Sequence, residues 1–125
     1  MIQQLEQLPP NMVGFKATGE VTEADFSETV MPAVKAIIEQ TGKLNYMLVL
    51  DTSVKNFTMG AWFKDAIMGI RHLTKWNRAA IITDVKGIRT FTEIFSVLMP
   101  GEFKGFEHSD LQQAIDWVSE KTEEA

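Results

Sequence analysis

Leu44-Asn45-Tyr46-Met47-Leu48-Val49-Leu50 is a nearly continuous apolar run that ends at Asp51. A short run of this kind, with no alternation of polar and apolar residues, is typical of a strand that is covered on both faces. Such strands are characteristic of parallel sheets, whose two faces are buried by other elements. A second run, Ala79–Thr83, has the same character and also ends at an aspartate, Asp84. The sequence therefore predicts a mostly parallel sheet built around Leu44–Leu50.

The segments around these two runs alternate between strand and helix patterns. Thr22 and Asp25 form a T-x-x-D capping pair, and apolar residues follow at helical spacing as far as Gly42, a typical helix terminator. Pro32 lies inside this helix and is expected to kink or split it. The other expected elements are strands at Ile2–Leu8, Met12–Thr18 and Glu102–Phe106 and helices at about Gly60–Leu73, at about Ile88–Met99 and after Ser109, which would cap through an S-x-x-Q pair with Gln112.

The predicted order is β-β-α-β-α-β-α-β-α, which places the chain in the α/β class with a single mixed sheet. The first two strands are joined by the short turn Pro9-Pro10-Asn11, so this pair is expected to be antiparallel and the others parallel. Because the chain has no internal repeat, linker or low-complexity stretch, residues 1–125 are expected to form one domain.

Composition excludes several classes of function. The 125 residues include no cysteine, which excludes disulfides, thiolate catalysis and metal sites with cysteine ligands. The net charge of −5 argues against general binding of nucleic acid. No apolar run approaches the roughly 20 residues that span a bilayer, and the amino terminus lacks the pattern of a secretory signal. We therefore expect a cytoplasmic protein.

Charge is unevenly distributed along the chain. Residues 52–90 carry seven basic and two acidic side chains, whereas the remainder carries five basic and fifteen acidic ones. Oppositely charged faces could pair within the domain, or the basic residues could form a patch for an anionic partner such as an acidic protein surface or a lipid headgroup. The basic residues are Lys55, Lys64, Arg71, Lys75, Arg78, Lys86 and Arg89.

Asp51 and Asp84 follow the two apolar strands, and ligands of open α/β sheets usually bind outside the carboxyl ends of the strands. Two carboxylates on one edge could hold Mg²⁺ or act as an acid and base pair. Alternatively, each aspartate ends its strand by bonding the backbone of the following loop. The sequence lacks nucleotide-binding and hydrolase fingerprints and any H-x-x-x-H metal pair, so no catalytic residue, cofactor or metal is predicted.

Seven methionines are many for a chain of this length, and several lie near aromatic residues in sequence. Methionine suits adaptable apolar pockets, although methionines at helical spacing are also ordinary core residues. Met59 and Trp62 fall partly outside the expected buried stripe of their helix. They are therefore candidates for the lining of an apolar pocket or for the interface of a homodimer.

The chain resembles the SpoIIAA-like (STAS/SEC14-type) bacterial proteins over almost its whole length. The resemblance is carried by the order and spacing of five segments, which are G-E-V-T-E-A-D-F (19–26), G-K-L-N-Y-M-L-V-L-D (42–51), M-G-A-W-F-K-D (59–65), R-H-L-T-K-W-N-R-A-A-I-I-T-D (71–84) and F-K-G-F-E-H-S-D-L-Q-Q-A-I-D-W-V (103–118). It implies the α/β fold of that family, whose biochemical role is not established.

The fold suggests two analogies for function. Anti-sigma-factor antagonists are protein-binding switches that are phosphorylated on a serine directly before the glycine that opens the helix after the central strand. Here Met59 precedes Gly60, so the serine is absent, while Thr58 and Ser53 lie nearby. SEC14-type domains hold an apolar ligand beneath helices, which the methionine and aromatic residues fit loosely.

These observations favour a non-enzymatic binding or regulatory module that uses the loop after the central strand. Its partner would be a protein or an anionic ligand, and peripheral contact with a membrane would suit the basic residues. The alternatives are a carrier of a small apolar ligand and an enzyme that uses Asp51 and Asp84. The predicted binding residues are Asp51, Thr52, Ser53, Lys55, Thr58, Met59, Trp62, Lys64 and Arg71.

Overall fold

A computed structural model describes residues 1–52, 76–89 and 102–120. The described strands are β1 (Ile2–Gln4), β2 (Val13–Thr18), β3 (Leu44–Asp51), β4 (Trp76–Ile82) and β5 (Glu102–Phe106). The described helices are α1 (Glu23–Asp25), a π turn (Phe26–Val30), α2 (Met31–Thr41), a short helical segment at residues 85–89, a 3₁₀ turn (His108–Asp110) and α3 (Leu111–Ser119). The predicted helix at Gly60–Leu73 lies outside the described residues.

The strands form one mixed sheet in the order β1-β2-β3-β4-β5. β1 is antiparallel to β2, and the other neighbouring pairs are parallel. The α/β class, the single mixed sheet and the antiparallel first pair are therefore confirmed. β3 occupies the centre, and every residue of Leu44–Leu50 except Tyr46 is buried.

The helical stretch between β2 and β3 begins and ends as its sequence predicts. Thr22 and Asp25 form a full capping box, since the Asp25 N–H donates to the Thr22 hydroxyl and the Thr22 N–H donates to the Asp25 carboxylate. The π turn gives way to α2 at Met31, with Pro32 in its first turn, so the proline stands where the helix changes character. Gly42 ends α2 with a φ of +75°, a conformation that glycine adopts without strain.

Apolar side chains cover both faces of the sheet because successive residues of a strand point to opposite sides. On one face, Phe15, Leu44 and Leu48 pack against the helical stretch that includes Val30 and Val34. On the other face, a second buried cluster joins the sheet to α3; its members are Met12, Met47, Val49, Ala80, Ile82, Phe106, Ala114 and Val118. The double coverage that the run Leu44–Leu50 predicts is present.

The first strand is shorter than predicted. It ends at Gln4, whereas the sequence pattern extended it to Leu8. Leu5 still donates its N–H to the Gly14 carbonyl, but Gln7 has a φ of +60°, which turns the chain away from the sheet. Leu5 and Leu8 then fold over the sheet and pack against the cluster beneath α3. Their apolar side chains suggested a strand, but they belong to a loop that covers the core.

Three other boundaries also differ from prediction. β4 begins at Trp76 rather than at Ala79, and the helix expected at Ile88 already includes residue 85. Ser109 does not cap α3, because it lies within the 3₁₀ turn and the N-cap position belongs to Asp110, which makes no side-chain capping bond. Gln112 instead donates to the Asp116 carboxylate along the helix.

Candidate functional site

The carboxyl ends of β3 and β4 meet at one edge of the sheet. Val49 lies opposite Ile82 in this parallel pair, and Asp51 and Asp84 each come two residues later. The predicted placement of both aspartates at the same edge is therefore confirmed. We call this edge the carboxyl rim; its described part comprises Asp51, Thr52, residues 84–86 and residues 107–111.

Asp51 presents its carboxylate to solvent at the carboxyl rim. Its side chain is 58% exposed, and its Oδ2 lies 3.7 Å from the Nζ of Lys16 on the neighbouring strand β2. Exposed ion pairs of this kind contribute less than about 1 kcal/mol, so a partner could replace the contact at little cost. Thr52, the next residue, is half-buried.

Asp84, at the same rim, has a structural role as the cap of a helical segment. Its Oδ1 accepts a hydrogen bond of 2.7 Å from the Gly87 N–H, and its carbonyl accepts another from Ile88. These contacts cap the helical segment at residues 85–89 and explain why that helix begins earlier than predicted. Within residues 1–52, 76–89 and 102–120, no group of three or more acidic or histidine side chains is arranged to hold a metal ion.

Two exposed apolar side chains also lie on the carboxyl rim. Val85, directly after the Asp84 cap, is 57% exposed, and Leu111, the first residue of α3, is 37% exposed. Because β4 and β5 are adjacent and parallel, the two segments that carry these residues leave the sheet at the same edge. The carboxyl rim therefore exposes apolar surface as well as the Asp51 carboxylate.

The opposite edge of the sheet contains a buried arginine that the sequence analysis did not single out. The guanidinium of Arg78 donates to the Trp117 carbonyl at 2.7 Å and to the carboxylates of Glu102 and Glu120 at 2.9 and 3.2 Å. It also lies 4.9 Å from the centre of the Trp117 ring. Arg78 belongs to the basic stretch noted in the sequence, and here that charge is paired within the domain.

Asparagines extend this polar system across the amino ends of the strands. Asn77 donates to the Asn45 side chain at 2.9 Å, and Asn45 donates to the Asn11 carbonyl at 3.0 Å. Asn11 in turn donates to the Ser119 carbonyl at 2.8 Å. Arg78 and Asn11 thus satisfy carbonyls in the last turn of α3 and attach this helix to the sheet.

The described residues contain only part of the predicted site. Asp51 and Thr52 lie together at the end of the central strand, as predicted. The other predicted binding residues lie outside the described residues; they are Ser53, Lys55, Thr58, Met59, Trp62, Lys64 and Arg71. Of the methionines considered for an apolar pocket, Met47 is fully buried against α3 and is a core residue.

Comparisons with known proteins agree with this fold. A family model described as SpoIIAA-like matches residues 12–119. The chain is similar to a crystal structure of an uncharacterized protein of the DUF3478 family from Shewanella loihica PV-4, which has a SpoIIAA-like fold. The two sequences are 26% identical, the alignment covers 94% of this chain and 93% of the other, and the TM-score is 0.62. No curated protein matches.

Proposed function

The chain belongs to the SpoIIAA-like family, and from this membership we propose that it is a non-enzymatic binding or regulatory module. The SpoIIAA-like fold suggests a module of this class, and a protein partner is consistent with it. The proposed docking surface is the carboxyl rim together with the residues after Thr52, for which the sequence predicts a loop. The partner is a protein surface that contacts both the Asp51 carboxylate and the apolar side chains of Val85 and Leu111.

The exposure of Asp51 is the observation that carries this proposal. Its side chain is 58% exposed, and its ion pair with Lys16 is long at 3.7 Å. The contrast with the amino edge supports the choice of surface, because Arg78 and Asn45 are buried there and bonded within the chain. A surface whose polar groups are already bonded internally has little left to offer a partner.

Charge reversal at the rim tests the proposal. Asp51→Lys should abolish the capture of specific proteins from an extract of the source organism, as measured by quantitative mass spectrometry of the bound fraction. Glu39→Lys is the matched control, since it makes the same charge change on the exposed side of α2. Identical sets of captured proteins for the wild type and both variants would reject the rim as a docking surface.

An anionic partner is the second form of the proposal, and it rests on the predicted basic residues. Lys64→Glu combined with Arg71→Glu should then weaken binding, whereas Asp51→Lys should strengthen it, because the rim would gain positive charge. Vesicles that contain phosphatidylserine provide the probe for peripheral contact with a membrane. No helix in the described ranges is long and apolar enough to cross a bilayer.

A further inference from the structure

A groove of about 640 Å³ lies between residues 4–13 and one side of the helical stretch that precedes β3. The helical wall extends from Glu28 to Gln40, with Ala33 and Ala36 between them. At 1.5 Å per residue this wall is about 18 Å long, which an extended segment of about six residues would span. The volume is within the range of sites that bind small ligands or peptide side chains.

The polar side chains that line this groove have unused hydrogen-bonding groups. No hydrogen bond in the described structure involves the side chain of Gln4, Gln7, Gln40 or Thr29. A glutamine carboxamide offers both donors and an acceptor, which are the two kinds of group that an extended peptide backbone presents. The floor between these residues is formed in part by half-buried apolar side chains, including Leu8 and Ala33, which a bound segment can contact.

The charge of the lining restricts the occupant. Glu28 is the charged residue of the described lining and makes no ion pair among the described residues. The described lining contains no lysine, arginine or histidine. A fatty acid or a phosphate would therefore lose hydration in the groove without gaining a cationic partner. A neutral or basic segment would bind with a lower cost of desolvation, and a lysine or arginine of that segment could pair with Glu28.

The non-helical wall is held in place by the fold rather than by a ligand. A Cβ atom on Gly14 would lie 2.6 Å from Cδ1 of Leu8, which shows how closely the loop after β1 rests on β2. The N–H of Leu5 bonds the Gly14 carbonyl, and Asn11 bonds the Ser119 carbonyl of α3. A groove with an anchored wall requires little reordering when it binds, which favours affinity.

We propose that this groove binds an extended protein segment with neutral or basic side chains. The glutamines bond the backbone of that segment, its apolar side chains contact the floor, and a lysine or arginine pairs with Glu28. This site is separate from the carboxyl rim and does not depend on the function proposed for the rim.

A library of random peptides of about seven residues, displayed on phage and selected on the intact chain, tests the proposal. Selected peptides should be enriched in lysine and arginine and depleted in aspartate and glutamate. Ala36→Trp fills the groove from an exposed helical position and should weaken a selected peptide by about tenfold. Ala24→Trp, an exposed position outside the lining, is the matched control and should bind normally.

Glu28→Lys provides a second variant that does not alter the shape of the groove. It should weaken a basic peptide by about fivefold, the upper range for an exposed charge pair, and leave neutral peptides unaffected. No enrichment, selection of acidic peptides, or equal binding to wild type and Ala36→Trp would each overturn the proposal. Loss of binding in Asp51→Lys would also overturn it, since the peptides would then occupy the carboxyl rim.

Discussion

Replacing Arg78 with alanine removes the side chain that attaches the end of α3 to the sheet. The Arg78 side chain is 10% exposed, and its guanidinium bonds the Trp117 carbonyl and lies against the Trp117 ring. The carboxylates of Glu102 and Glu120 are more than 60% exposed and can return to water when the arginine is removed. The Trp117 carbonyl would keep the longer bond of 3.4 Å that it accepts from the Glu120 N–H, but it would lose its charged donor.

The expected loss of stability follows from these contacts. A hydrogen bond from a charged donor to a carbonyl contributes about 1.5 kcal/mol or more, and contact of the cation with the tryptophan ring adds about 0.5 kcal/mol. The two half-exposed ion pairs together contribute less than about 1 kcal/mol. We therefore expect Arg78→Ala to lower the free energy of unfolding by about 2.5 kcal/mol, which for a chain of this length lowers Tm by about 10 °C.

Thermal unfolding followed by circular dichroism measures this loss, with Arg89→Ala as the matched control because Arg89 is exposed. Hydrogen exchange adds a local readout: amides of α3 should exchange faster in Arg78→Ala, while those of β3 keep their order of protection. Equal Tm values for Arg78→Ala and Arg89→Ala would refute the reasoning, because the attachment of α3 would then lie elsewhere.

Three further substitutions test local features of the fold. Gly105→Ala brings a Cβ into steric conflict with Cγ2 of Ile88 and should lower the free energy of unfolding by about 1–3 kcal/mol in urea unfolding. Adding Ile88→Ala should recover part of this loss, and purely additive effects would contradict the clash. Gly42→Ala forces alanine to a φ of +75° and should lower the free energy of unfolding in urea by about 1 kcal/mol. An unchanged urea midpoint would show that α2 can end differently. Partial burial acts to raise the pKa of Asp25, but hydrogen bonds from Thr22 and the terminal ammonium of Met1 outweigh it and leave that pKa below its ordinary 3.8. Asp25 therefore stabilises the fold above about pH 4, and this contribution is lost as pH falls through the lowered pKa. Asp25→Asn should make the free energy of unfolding fall less steeply with decreasing pH in the acid range. Identical pH dependences for the wild type and the variant would contradict this.

The elements that could be predicted from sequence are those whose signals are local. The capping pair of Thr22 and Asp25 satisfies helix donors within one turn, and Gly42 permits a left-handed residue at the helix end. The run Leu44–Leu50 required only that a strand be covered on both faces. Each inference depended on neighbouring residues alone, and each is confirmed by the structure.

The features that escaped prediction depend on contacts between distant parts of the chain. Arg78 is 39 residues from the Trp117 carbonyl that it bonds, so nothing near Arg78 in sequence distinguishes it from a surface arginine. Leu5 and Leu8 look like strand residues, and only the packing of their loop beneath α3 explains them. Ser109 matched a capping motif, but the chain makes a 3₁₀ turn at that point before α3 begins.

In the proposed function, one end of the sheet contributes to stability and the other to recognition. At the amino edge, Arg78 and Asn11 donate hydrogen bonds to the last turn of α3, and Asn45 donates to the Asn11 carbonyl. Substitution there should therefore affect folding before it affects binding. At the carboxyl rim, Asp84 caps a helix while Asp51 remains accessible. Two aspartates in equivalent positions after parallel strands thus have different duties, and the same residue type at the same rim cannot by itself identify a paired catalytic site. The hydrogen bond from Gly87 makes this distinction, because it ties the Asp84 carboxylate to the fold, whereas the Asp51 carboxylate is the one that we propose contacts a partner.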